Sequence, residues 1–552
     1  MGAAHLDLAD GFWSGANSLE WVPLKKRLSP LLGTAQGGSS LATKNPQGRV
    51  GANRVAITFA VMASIIMNVL DTTIVNVALP HMQGGLRANV DQVSWILTSY
   101  MLAMVVVTPL TGLLVERFGQ RRLMLASVGG FVFTSAMAGQ SHTIVEMVIW
   151  RFLQGALGAA MVPVGQSILV ASYPPERRGM AMATLGMGIM LGPILGPILG
   201  GYLTDDASWR WCFYVNIPFG LTALLLLFRH VPEAGRSQNP RPIDWQGFLA
   251  MAVGLACTQA TLSLGDQDDW FSSQTIMALT VVAGASLVLF VWRSLTVARP
   301  IVNLRLLKNR ALALGSLGIA LFGLALYGVM VILPFYLQEH MGYEAQTAGL
   351  VMAPQGLGAM IAMGLAGRML SRGVNPRAVA LMGIALGGFG SYLTLSYDLH
   401  IDPAWIVWPG VLRGFGLGFI SIPLFTIAFA SLTKEETAEG SGIFNLMRNL
   451  GGSVGIALVT TIISEYTQVA WNQMGGHITP YAQALTTIVP AHTWTATTAP
   501  YLGQLLAQHA AMRGILDALV FVFWGFVGMI PLVILIGNPK TSAAAQPVIT
   551  ES

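Results

Sequence analysis

Charge is scarce in this sequence. Of 552 residues, 30 are Lys or Arg and 25 are Asp or Glu, so 10% are charged where a soluble domain carries about 25%. That shortage excludes a soluble globular enzyme. Cysteine is scarcer still: Cys212 and Cys257 allow neither a disulfide framework nor a four-ligand zinc site, and each reads as a small buried hydrophobe. No Gly-x4-Gly-Lys-Ser/Thr phosphate loop occurs, which removes ATP hydrolysis by that route. Gly451-Gly-Ser453-Val-Gly455 matches the serine-hydrolase elbow in letters, but it lies in an apolar helix rather than a strand-turn-helix. The nine histidines, His5, His81, His142, His230, His340, His400, His477, His492 and His509, fall in tails, loops or span edges, so no haem or metal pair within a membrane is expected. The excess of basic over acidic residues, +5, does not cluster on one soluble face, as a nucleic-acid partner requires.

What is abundant is apolar length. Hydrophobic residues make up 54%, glycines number 62, and mean hydropathy is +0.62. Apolar runs long enough to cross a bilayer fall near 55–80, 92–114, 122–140, 144–170, 180–203, 211–228, 245–264, 274–292, 311–338, 347–367, 378–397, 404–431, 440–464 and 514–537. The expectation is an all-α membrane protein with an even number of spans and both termini on one side. Lys and Arg accumulate in cytoplasmic loops during insertion. With the N-terminus inside, 24 of the 30 fall on the inner side, Arg87, Arg210 and Arg513 fall outside, and Arg151, Arg413 and Arg448 lie within spans. The basic pI is therefore topology.

Residues 1–53 read as a polar cytoplasmic tail without a signal-peptide pattern, its Trp21, Lys25, Lys26 and Arg27 mostly solvated. Residues 538–552 read as a second cytoplasmic tail. One outer connection, 465–513, is long and nearly uncharged, with apolar patches at Tyr481–Leu485 and Tyr501–Leu506; loops of that length are usually functional or disordered. The reading here is short amphipathic helices, as a partner-docking surface or a cap over the last two spans.

The chain also repeats itself. Gly112, Arg117 and Arg122 after the second span recur as Gly367, Arg372 and Arg377 after the tenth, a shift of 255 residues. A second echo pairs Gln154-Gly155 with Arg413-Gly414. Duplicated transporters rock one half against the other around a central site. The domain reading is a six-helix bundle over 54–231, an inserted helix pair over 244–296, and a second six-helix bundle over 311–537.

Ionisable groups within apolar spans are costly and are functional candidates by default. Asp71 lies in the first span, roughly 13 Å from its outer end, and Arg151 lies roughly 10 Å deep in the fourth from the same side. A carboxylate in a dry cavity is pushed toward protonation by desolvation and toward ionisation by a nearby cation, so it can load and release a proton as that cation moves. Asp517, Arg413 and Arg448 join them as candidate coupling residues, the arginines also as possible charge balance or anchors. In the fifth span Gly188, Gly192, Gly196 and Gly200 recur every four residues beside Pro193, Pro197 and Gly201. That ridge admits a close helix contact, and the prolines permit bending; it reads as a moving interface between halves.

These motifs together resemble the proton-coupled drug antiporters of the major facilitator superfamily. Asp71 in Leu-Asp-Thr-Thr-Ile-Val-Asn-Val-Ala-Leu-Pro, Trp209-Arg-Trp-Cys-Phe-Tyr-Val-Asn216-Ile-Pro218-Phe-Gly220, and Asp269-Trp270-Phe271-Ser-Ser with Pro300-Ile-Val-Asn-Leu mark the fourteen-helix EmrB/QacA branch, closest to EmrB-type exporters. The resemblance covers about residues 54–537. It implies the major facilitator fold, two six-helix bundles plus two inserted helices, and a secondary transporter rather than an enzyme. It further implies multidrug efflux of hydrophobic compounds driven by the proton motive force with no other cofactor, from a bacterial inner membrane. EmrB-type pumps work with a periplasmic membrane-fusion adaptor and an outer-membrane channel. By position Asp71 and Arg151 match the coupling residues, and Gly112, Glu116, Arg117, Gly119, Arg121 and Arg122 match the inner-gate motif. Glu116 replaces the usual Asp there, and Ser371 stands in the second copy. Polar or aromatic residues within spans give a candidate substrate cavity of Asn76, Tyr100, Gln154, Gln166, Tyr327, Tyr336 and Gln338. The rival readings are a narrow exporter of one metabolite, fatty acid or siderophore, and, more remotely, a membrane enzyme or scaffold.

Overall fold

The computed structural model describes residues 46–88, 90–174, 177–234, 244–298, 300–476 and 498–536. Its described residues contain 14 helices long and apolar enough to cross a membrane. They are α1 (Arg54–Leu79), α2 (Gln92–Phe118), α3 (Gln120–Gln140), α4 (Ile144–Ser172), α5 (Arg178–Thr204), α6 (Trp211–His230), α7 (Trp245–Leu264), α8 (Gln274–Thr296), α9 (Arg310–His340), α10 (Gln346–Ser371), α11 (Pro376–Ser396), α12 (Pro403–Phe429), α13 (Glu439–Gly475) and α14 (Leu502–Leu535). Helices are forced by composition: in hydrocarbon each backbone N–H and C=O needs a partner within its own segment. Polar residues at the ends supply what the ladder leaves open. Thr143 opens α4 by accepting from the Glu146 amide, Asp402 does so for α12, and Thr433 with Glu436 forms a reciprocal capping box ahead of α13. Gly119, at φ 85°, makes the turn between α2 and α3 that an L side chain resists.

From Val50 onward the described chain packs as one unit. In the first half α2 lies against α4, and α3 against α4 and α6; in the second, α12 lies against α10 and α11, and α9 against α13 and α14. The halves meet along α5 and α10, and where α13 crosses the ends of α2 and α4. The inserted pair is asymmetric. Helix α7 packs on both α2 and α13, with Ser453 donating to Gln259 at 2.8 Å, whereas α8 presents Val281, Val288 and Trp292 outward, as a lipid-facing helix does.

The sequence reading departs most from the structure beyond α13. The stretch 465–475, read as loop, continues the helix Lys434–Gly475, and Tyr501–Leu506 belongs to the helix Thr498–Leu535 rather than to a short surface helix. Polarity ends an apolar run but not a helix, and nothing between Ser464 and Met474 breaks one. Gly475 faces Leu506 across the pair, with room for a Cβ at 3.5 Å. Tyr481–Leu485 lies outside the described residues, as do Trp21, Lys25, Lys26 and Arg27. At the other end the helix entering α1 begins at Pro46, inside the segment read as tail.

Candidate functional site

Three helices of the first half meet at one carboxylate. Asp71, on α1, is fully buried, as are Arg151 and Gln154 on α4 and Asn216 on α6. The Arg151 Nη1 donates to Asp71 Oδ2 at 2.6 Å and to Gln154 Oε1 at 2.8 Å. Gln154 Nε2 and Asn216 Nδ2 both donate to Asp71 Oδ1, at 3.0 and 2.8 Å. A guanidinium only donates, so Gln154 must turn its oxygen to Arg151 and its amide nitrogen to Asp71. All three partners of Asp71 are donors, so both of its carboxylate oxygens are engaged as acceptors. A second layer fixes these groups: Asn216 also donates to Ser135 at 3.0 Å, Ser135 donates to the Phe213 carbonyl, and Arg151 Nε reaches the Ile96 carbonyl.

On its open side the pair is roofed by Tyr100, whose ring lies 4.3 Å from the Arg151 guanidinium carbon. Asn68 donates to the Tyr100 hydroxyl at 3.1 Å. Asn68 and Tyr100 in turn line a cavity of about 670 Å³ with Thr72, Met101, Met104, Val162, Tyr327, Arg448 and Ser453. An adjoining cavity of about 590 Å³ shares Ile189, Tyr327 and Arg448 with it and adds Gln166, Phe322, Met363 and Phe444. Both draw on the two halves. Neither is lined by Asp71 or Arg151, which sit one residue layer behind the wall.

Toward the end of the bundle that carries most of the arginines, the halves are closed. Gly112, ending α2, leaves only 3.0 Å between a Cβ and the Glu439 side chain at the start of α13; its repeat partner Gly367, ending α10, leaves 2.8 Å to Ala183 on α5. Gln166 accepts from Ser441 at 2.6 Å and from Asn445 at 2.8 Å, tying α4 to α13 beneath the cavity.

A model of the Major Facilitator Superfamily matches residues 61–456. The chain belongs to this superfamily, in its EmrB-type branch. It is 32% identical over 494 residues to the "Multidrug export protein EmrB" of Haemophilus influenzae, covering 89% of this chain and 96% of that protein. It is 33% identical over 435 residues to the "Fatty acid resistance protein FarB" of Neisseria gonorrhoeae, covering 79% and 86%. Among solved structures, the human organic anion transporter MFSD10 superposes with a TM-score of 0.56 at 14% identity, covering 87% of this chain and 99% of that one, a likeness of fold. The chain is thus a multi-pass membrane transporter of the major facilitator superfamily, related to multidrug exporters, rather than an enzyme.

The remaining sequence-derived residues fall in several places. Tyr100, Gln166 and Tyr327 line the central cavities. Gln154 belongs to the ion-pair network instead. Asn76 and Gln338 are exposed, and Tyr336 lies in the second half, stacked on Tyr397 and bonded to the Asp398 carbonyl; none of these three lines the central cavities. Polarity within a span predicts contact with protein or water, not which chamber. Asp517 pairs with Arg513 one turn earlier, at 3.5 Å. Arg413 is buried and donates to Gln355 at 2.8 Å, packed beside Tyr336 and Tyr397. Arg448 stands on the central cavities. The five candidate coupling residues therefore occupy separate places, and only Asp71 and Arg151 meet.

The gate and helix motifs also sort by face. Arg121 bonds to the Phe228 carbonyl and Arg122 pairs with Glu233 at 3.3 Å, both within the first half; Arg117 is exposed. Gly112 of that motif packs against the other half. On α5, Gly188, Gly192, Gly196 and Gly200 pack on Met62, Val69, Thr73 and Ile74 of α1, and Thr73 donates to the Gly192 carbonyl at 2.9 Å. The four-residue ridge is thus pressed against the Asp71 helix of its own half, not against the other half. The face turned to α10 carries Ala183, Gly186, Ile194 and Pro197; Gly186 and Ile194 are offset by two from the glycine row and so lie on the opposite side of the helix, with Ala183 and Pro197 flanking them. Gly201 closes the ridge, accepting from Thr204, and Pro193 lies within the same helix. Asn216, Ser135 and Asn68 were not singled out as site residues. Asn216 meets the same criterion as Asp71, a polar group in an apolar span, but near a span end it reads as an ordinary cap.

Proposed function

We propose that this chain is a proton-driven exporter of hydrophobic and amphipathic compounds working by alternating access, with substrate in the central cavities and the proton on Asp71. The observation that carries this is the sealed Asp71–Arg151 pair set one layer behind a cavity wall shared by both halves. Protonating Asp71 removes the charge that Arg151 faces. An uncompensated buried guanidinium costs on the order of 3–5 kcal/mol, so Arg151 must shift toward other acceptors or water. Tyr100 lies on that guanidinium and Asn68 holds Tyr100, so the shift reaches the cavity wall. Substrate and proton then compete through Tyr100 and Asn68 rather than by sharing one carboxylate. The reading departs from a direct exchange on Asp71, because that side chain does not line the cavities.

The distribution of Lys and Arg supports an inner-membrane protein with both termini cytoplasmic. The EmrB relationship supports a periplasmic adaptor and an outer-membrane channel as partners, docked on the outer extensions of α13 and α14. The test is uptake of a hydrophobic dye into proteoliposomes with an imposed pH gradient. The dye should accumulate, and a protonophore should abolish it; accumulation indifferent to the protonophore would overturn the proton-driven reading. A narrower exporter of an acidic metabolite is the second reading, favoured by the relative named for fatty acid resistance; a substrate panel with one dominant compound would select it.

A further inference from the structure

One embedded charge takes no part in the coupling network. Arg448, on α13, lines both central cavities. Its Nε is buried without a hydrogen-bond partner, and among the described residues no side-chain hydrogen bond or ion pair engages its guanidinium. The other two arginines within spans are provided for: Arg151 has Asp71 and Arg413 has Gln355. Among the described residues no Asp or Glu lines either cavity, and Arg448 is the one charged residue that does. Its base is held firmly, because Gly323 on α9 lies so close to the Arg448 carbonyl that a Cβ there would collide with it.

The walls divide around this residue. To one side lie Phe322, Met363 and Phe444, soft and apolar; to the other lie Asn68, Tyr100 and Ser453, which offer hydrogen bonds. A guanidinium carries five donors, accepts nothing and does not lose its proton. In an apolar chamber it is left short of acceptors, and an anion relieves that deficit with paired hydrogen bonds. A cation placed there meets repulsion with no carboxylate to offset it.

We propose that Arg448 is the recognition residue for an anionic head group, and that the cavity is built for amphipathic weak acids: a carboxylate on Arg448, an apolar body among the Met and Phe side chains. This rests on the export reading for the identity of the cavity as the substrate site, and deepens it by naming the charge class.

The test uses three matched fluorescent probes, 1-pyrenebutyrate, its methyl ester, and 1-pyrenebutyltrimethylammonium, titrated against the full chain in lipid nanodiscs with empty nanodiscs subtracted. The wild-type protein should bind the carboxylate at least about tenfold more tightly than the ester or the cation. Arg448→Gln should erase that preference while ester affinity stays within about twofold, and Arg448→Lys should keep part of it. Equal affinity of the wild type for all three probes overturns the proposal, as does an Arg448→Gln protein that keeps the carboxylate preference. If Arg448→Gln does not fold, the wild-type comparison alone decides. No proton gradient is present, so the outcome is separable from the export reading. Anion preference in a protein that cannot pump would sink export and leave the site standing; pumping of ester and cation as readily as acid, with equal binding, would do the reverse.

Discussion

At the scale of single residues, the site is an exercise in satisfying donors and acceptors among fully buried side chains. Asp71 accepts from Arg151, Gln154 and Asn216, and what remains unmet is one donor on Arg151, Nη2, and one acceptor on Asn216, Oδ1. Those two spare groups sit on the partners of the carboxylate and are what a protonated Asp71 and a displaced Arg151 would use. Asn216→Ala removes one donor from the ionised form, worth about 1.5–3 kcal/mol for a bond to a charged group. The pH profile of coupled transport should therefore move to higher pH, measured as initial dye uptake against pH; an unshifted profile would mean that Asn216 only packs. Asp71 and Arg151 were legible in the sequence because charge inside an apolar run is rare and their depths, counted from the span ends, agree. Asn216 was hidden because depth is what marks a buried polar residue, and it stands only a turn and a half into α6.

At the scale of elements, span existence was readable from apolar length, while faces and true ends were not. The glycine row of α5 announced a close contact without naming the neighbour, which is α1. The helices continuing α13 and α14 past the apolar stretch were missed because hydropathy reports the membrane rather than the backbone. The inserted pair offers a test of its own. Asp244 caps α7 and is clamped by Arg293 from the end of α8, at 2.6 and 3.2 Å. The Arg293 guanidinium hydrogen-bonded to Asp244, helped by the Gly247 amide, holds its carboxyl below the usual carboxylate range against the opposing effect of burial. A carboxylate with a depressed folded value contributes stability above its unfolded value, about 3.9, and loses it as pH falls through the folded one. Thermal unfolding of wild type and Asp244→Asn should differ at pH 6, with the gap narrowing as pH falls below the usual carboxylate range; a gap that stays constant into strong acid would contradict the clamp's ionic character.

At the scale of the whole molecule, duplication explains why closure has two matching seams. Gly112 on Glu439 and Gly367 on Ala183 are repeat-related positions, each pressing the end of one half onto the start of a helix in the other. The sequence showed the repeat in Gly, Arg and Arg, but not that its glycines are the contact points, since a glycine carries no side chain whose chemistry points anywhere. On the same seam a Cβ at Gly179 would lie 3.8 Å from the Leu370 Cβ, the span of a disulfide, so Gly179→Cys with Leu370→Cys, in a background with Cys212 and Cys257 replaced by Ala, should form an oxidant-dependent bridge that stops transport and releases it on reduction. Full transport by the bridged protein would show that this seam does not open in the cycle. The central claim, that Asp71 carries the proton and couples it to substrate through Arg151 and Tyr100, is tested most directly by Asp71→Asn in proteoliposomes. Two readouts are needed: downhill exchange of a substrate, and uphill accumulation under an imposed pH gradient. The account predicts that exchange persists while uphill accumulation is lost; proton-driven accumulation by Asp71→Asn at the wild-type rate would contradict it.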